Sequence, residues 1–141
     1  MRVRESIEIA RPPEAVWSFV SDPANDPHWC DKVKSVHAAG ERRWLIVHKP
    51  VPLRPAMELT LEQIELQAPE RLVLREEDEA SVFDVEYRLV PSGAGSRFTQ
   101  TSEFEWKRLP RPLHGVFALG VRRDVRAQLA ALKRHLEGSY G

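Results

Sequence analysis

Toward the C-terminus, apolar residues recur at helical spacing, and no earlier stretch keeps that period for as long. At about 100° per residue, Phe117, Ala118, Val121, Val125, Leu129, Leu132 and Leu136 fall within an arc of roughly 120°, the stripe of a helix with one buried face. Arg122, Arg123, Arg126, Lys133, Arg134 and Glu137 take the opposite side. The pattern predicts one helix over Leu113 to Leu136, roughly 35 Å long. Its first half, with Leu113, Val116, Phe117, Leu119 and Val121, is apolar nearly all round and is expected to be covered on more than one side. Gln128 sits inside the apolar arc, where it meets backbone or solvent or offers a hydrogen bond to something held under the helix.

Upstream the period is two. Val3, Glu5, Ile7 and Ile9 share one face of a first strand. Pro12-Pro13-Glu14 opens a short helix with Ala15, Val16, Phe19 and Val20 on its apolar side, and Ser21-Asp22-Pro23 stops it. The turn-rich stretch from Asp22 to Cys30 allows one further short helical turn. Strands follow over Lys34 to Ala38 and Arg43 to His48, then a proline-rich segment from Pro50 to Pro55 that is expected to be a stiff, extended loop. Met57, Leu59 and Leu61 alternate before the phase slips ahead of Ile64 and Leu66, as at a bulge. Leu72 to Glu76 is the next strand, and Glu76-Glu77-Asp78-Glu79 reads as a solvated turn. Phe83, Val85, Tyr87 and Leu89 share one face of the cleanest alternation. Phe98, Gln100, Ser102, Phe104 and Trp106 share a face of the last strand.

Short turns between consecutive strands make them antiparallel, and one apolar face means a sheet covered on one side. The prediction is an α+β fold: a curved antiparallel sheet of about seven strands, two short helices after the first strand, and a long C-terminal helix as the only cover. A straight helix fits a curved sheet along one line and leaves space elsewhere. Four Trp, five Phe and two Tyr line such a space more readily than they fill it.

Composition narrows the classes. A chain of 141 residues suits one domain over 1–141. Lys+Arg and Asp+Glu both number 21, so no strongly basic field is offered to nucleic acid. Cys30 is the only cysteine, so no intrachain disulfide forms. No apolar run approaches the ~18 residues of a membrane span, so no membrane insertion is expected and a cytoplasmic location is the default.

The element order resembles the START-like (SRPBCC) superfamily, as do Ile7-Glu8-Ile9-Ala10-Arg11-Pro12-Pro13-Glu14-Ala15-Val16-Trp17, Asp22-Pro23-Ala24-Asn25-Asp26-Pro27-His28-Trp29 with Val33 following, and the Leu-rich last helix. The nearest likeness is to polyketide cyclase/dehydrase proteins, and it covers nearly the whole chain. It implies a helix-grip (START/Bet v 1-like) fold with a deep, largely apolar pocket between sheet and helix. Members bind lipids, sterols, polyketides or aromatic ligands, and a few catalyse cyclisation or dehydration. They share no catalytic motif, so no catalytic residue carries over.

Chemistry outside that resemblance is sparse. The five histidines are dispersed and show no zinc spacing, no phosphate loop is present, and neither a metal nor a cofactor is expected. His28 and Cys30 are too little to make a nucleophilic pair without an orienting base. Polar residues on faces that should be apolar are the better signal. Glu5, Gln100 and Gln128 are expected to share a ligand-binding pocket with Met57, Leu59, Phe83, Phe98, Phe117 and Val121. Burial would disfavour ionised Glu5 and make it a proton donor or acceptor. Trp29, in a loop beside two prolines, is placed at the pocket mouth. Three readings follow: a binder or carrier of a small apolar or aromatic metabolite; a polyketide cyclase/dehydratase with one or two acid/base groups; and a module that docks protein through Leu113 to Leu119. A homodimer is plausible under each.

Overall fold

The alternating stretches pair as their periods predict. The computed structural model describes residues 1–50 and 56–138, and the proline-rich stretch read as a stiff loop falls largely outside them. Seven strands form one antiparallel sheet: β1 (Arg2–Ile9), β2 (Val33–Gly40), β3 (Arg43–His48), β4 (Met57–Gln67), β5 (Arg71–Glu77), β6 (Ser81–Ser92) and β7 (Gly95–Trp106). Their order is β1-β7-β6-β5-β4-β3-β2, so only the first strand leaves sequence order and closes beside the last. Between β1 and β2 lie helix α1 (Pro13–Val20) and a 3-10 turn (Pro23–His28). A second 3-10 turn leads into α2 (His114–Gly138), which crosses the concave face of the sheet.

Local chemistry explains the joints. Pro13 stands in the first turn of α1, where no backbone donor is lost. Asp22 caps the 3-10 turn by accepting from the Ala24 N–H at 3.0 Å. The phase slip in β4 is a register shift between Gln63 and Glu65. Gly95 lies so close to β1 that any Cβ there would run into the Ile9 carbonyl oxygen.

The inner face carries Val3, Ile9, Leu59, Leu61, Leu72, Leu74, Val85, Tyr87, Leu89, Phe98 and Phe104, all buried. The outer face is polar, with Arg71 donating to Glu86 and Arg75 to Asp84, each at 2.7 Å across the β5/β6 pair. The second half of α2 presses Val125, Leu129, Leu132 and Leu136 into the core beside Val16 and Val20 of α1. Its first half behaves otherwise: Val116 and Leu119 are 67% and 68% exposed, so the expected double cover is absent. The helix overruns the core there and projects across a gap.

Candidate ligand-binding site

The gap is a cavity of about 960 Å³ between the first half of α2 and the far end of the sheet. Its apolar wall comes from Met57, Leu59, Phe83, Trp106, Phe117 and Val121. Alternation puts these side chains there, because Leu59 and Phe83 are in phase with the buried residues of their strands. The aromatic part is ordered by its own contacts. Phe83 stacks on Phe104 at 4.9 Å, and Trp106 meets Phe104 at 5.0 Å and Phe117 at 5.9 Å, both edge-on. Arg108, Arg123 and the exposed Val116 and Leu119 stand around the opening.

Inward, the cavity narrows to a recess of about 50 Å³ lined by Asp26, Cys30, Glu76, Tyr87, Gln100, Ser102, Asp124 and Gln128, among others. Lys32, His48, Glu76, Phe83, Val121 and Asp124 border both spaces, so the recess opens from the cavity. The outer cavity thus carries the broad apolar wall, and the recess sets polar groups among apolar neighbours such as Ile46, Val85 and Val125.

Desolvation governs the deep groups. Burial, and then the charge of Glu76, push the Asp26 carboxyl well above the usual carboxylate range, while the nearby Trp29 indole draws the other way. Burial likewise raises Glu76, against the pull of Lys32. The Cys30 thiol and the Tyr87 phenol are both pushed well up, first by burial and then by the carboxyls around them. Cys30 is thus a protonated, buried thiol and not a nucleophile. His28 is no partner for it, since its ring stacks on His135 at 5.3 Å, and His135 stacks on Phe19 at 4.7 Å.

Of the residues singled out from sequence, Met57, Leu59, Phe83, Phe117 and Val121 come together around the cavity, and Gln100 and Gln128 around its recess. Three do not join them. Glu5 is on the inner face of β1, yet its Oε1 accepts from Arg122 at 3.1 Å and Arg126 at 2.9 Å, because both arginines reach from α2 down to the sheet edge. Trp29 is 2% exposed and not at the mouth. Its backbone N–H and that of Cys30 both donate to the Asp26 carbonyl, and its indole lies inward against Tyr87 and Phe98 at 5.8 and 6.2 Å. Phe98, 0% exposed, is core beneath that indole.

Two groups escaped the sequence reading. Glu76 is no part of a solvated turn. It continues the inward series Leu72, Leu74, Glu76 of β5, a phase legible in the sequence but masked by the acids after it. Asp26 lies in an irregular turn with no period to reveal its burial. Among the described residues, no group of three or more His, Cys, Asp or Glu is placed to hold a metal ion, and no helix is long and apolar enough to cross a membrane.

Residues 1–137 match the family described as polyketide cyclase / dehydrase and lipid transport. No curated protein matches the chain. Among solved structures, a protein of Thermus thermophilus is similar with a TM-score of 0.82 at 19% identity, covering 100% of both chains. The Zhui aromatase/cyclase from Streptomyces sp. R1128 gives 0.79 at 14% identity, covering 97% of this chain and 93% of its own. A START superfamily protein from Mycobacterium smegmatis gives 0.73 at 16% identity, covering 98% and 95%. At such identities the likeness concerns the fold, and it is the START-like helix-grip arrangement of curved sheet and long C-terminal helix.

Proposed function

Because the chain belongs to the polyketide cyclase/dehydrase and lipid transport family, we propose that it binds a small, largely apolar or aromatic metabolite in the cavity under α2. The observation that carries this reading is the unfilled volume. About 960 Å³ lined by Met57, Leu59, Phe83, Trp106, Phe117 and Val121 lies within the ~300–1,000 Å³ of small-molecule sites. A packed interior would instead have favoured protein docking through Leu113 to Leu119. Since the cavity is formed within one chain, a monomer suffices to hold the ligand.

A second reading, cyclisation or dehydration of a polyketide-like substrate, is favoured by one observation. Asp26 is a buried acid and Glu76 a half-buried one, both with raised pKa beside an apolar cavity, the setting in which a carboxyl serves as general acid or base. Binding takes precedence because the unfilled apolar volume supports it directly, whereas a reaction needs an oriented catalytic group besides these carboxyls.

Native mass spectrometry of the purified full chain, followed by titration with the neutral apolar probe N-phenyl-1-naphthylamine, tests the reading. A retained small molecule, or saturable one-to-one probe binding, is expected; absence of both overturns it. The enzymatic reading requires in addition that Glu76→Gln abolish turnover of a model polyketide while leaving probe affinity in place.

A further inference from the structure

The recess has beside it an acceptor that no described residue answers. Gln100 of β7 stands between Glu5 and Tyr87 in register, is 5% exposed, and lines the recess. Its Oε1 has no hydrogen-bond partner among the described residues. A buried amide oxygen left unpaired is unfavourable and rare in folded proteins, and the residue that carries this one lines the space a ligand would enter. The groups around it define what can enter. Asp26, Glu76 and Asp124 bring three carboxyls to the recess against one ammonium, Lys32, among the described lining residues. A carboxylate head group brings no proton for Gln100 Oε1 and has to leave water to enter. The pull of Lys32 on Glu76 already supplies a positive charge at that carboxyl, which leaves less for a cationic head group to gain.

Resting on the binding function above, we propose that the recess recognises the hydroxyl group of an aromatic ligand, with Gln100 Oε1 accepting the hydroxyl proton and the Asp26 or Glu76 carboxyl meeting the hydroxyl oxygen. The size suits this division. The recess holds about 50 Å³, against the ~10–15 Å³ one water molecule needs, so it admits the polar end while the ring stays outside it. Phe83 borders both spaces and presents its ring where the two parts of the ligand join. The carboxyls complete the pairing: burial shifts both toward the protonated form, and a carboxyl in that form donates the hydrogen bond that a hydroxyl oxygen accepts. The class selected is hydroxylated aromatic compounds; fatty acids and other carboxylate-headed lipids are disfavoured.

The test compares four probes on the full chain at pH 7 by calorimetry: naphthalene, 2-naphthol, 2-naphthoate and 2-naphthylmethylammonium. One hydrogen bond predicts that 2-naphthol binds about five- to tenfold more tightly than naphthalene, with 2-naphthoate weakest. Gln100→Leu is expected to erase the advantage of 2-naphthol over naphthalene, the two being compared on the same variant. Naphthalene and 2-naphthol binding equally to the wild type overturns the inference and leaves the binding function standing. So does 2-naphthoate or the ammonium probe binding most tightly. Failure of all four to bind overturns the binding function itself. Should Gln100→Leu not fold, the ranking on the wild type decides.

Discussion

Glu5 on the edge strand accepts a hydrogen bond from Arg126 of α2 at 2.9 Å, across 121 positions of sequence. Arg122, one turn earlier, shares the same oxygen at 3.1 Å. The pair clips the helix to the sheet beside the cavity and uses the carboxylate for structure. Glu5→Gln is therefore expected to lower stability by about 1 kcal/mol, the range of a charge-assisted contact at a partly exposed site. Urea unfolding measures this, and N-phenyl-1-naphthylamine affinity should stay as in the wild type. A large loss of affinity would return Glu5 to the site.

The two halves of α2 should respond differently to truncation. Leu132 is 0% exposed in the core, so Leu132→Ala should cost about 2–5 kcal/mol. Val116 is 67% exposed, and Val116→Ala should stay within about 0.5 kcal/mol. Paired thermal or urea melts check both, and equal costs would mean that the helix is covered along its whole length.

That contrast also marks what was legible in the sequence. The stripe from Val125 to Leu136 and the alternation of Val85, Tyr87 and Leu89 follow from local period, and the structure buries both as that period requires. The apolar surround of Leu113 to Leu119 carried no such instruction. Whether a greasy helix half is packed or left over a cavity depends on the curvature of a sheet assembled from distant strands. Trp29 and Asp26 were hidden for the same reason, since a 3-10 turn has no face until something packs on it. Glu76 was hidden by composition, the last inward residue of β5 placed first in a run of acids.

The buried acids should be visible in the pH dependence of stability. A carboxyl whose folded pKa is raised binds its proton more tightly folded than unfolded. Stability then falls as pH rises from the ordinary carboxylate range near ~4 through the raised value. Because burial raises Asp26, Asp26→Asn should raise Tm at pH 7 more than at pH 4. A Tm difference that is the same at both pH values would contradict a protonated, desolvated Asp26.

Cys30 is buried and its thiol pKa is pushed up by burial and by Asp26. Native protein should react with a thiol-specific disulfide reagent at least about a hundredfold more slowly than urea-unfolded protein, since the thiolate is the reacting form. Stopped-flow absorbance gives both rates; comparable rates would place the thiol at an open surface.

Crystals soaked with 1-bromonaphthalene give the plainest test of an open cavity under α2, because bromine reports its own position by anomalous scattering. One strong peak is expected in the space bounded by Phe83, Trp106, Phe117 and Val121, under the first half of the helix. Rings of those same side chains filling the space, with no bromine between helix and sheet, would contradict it.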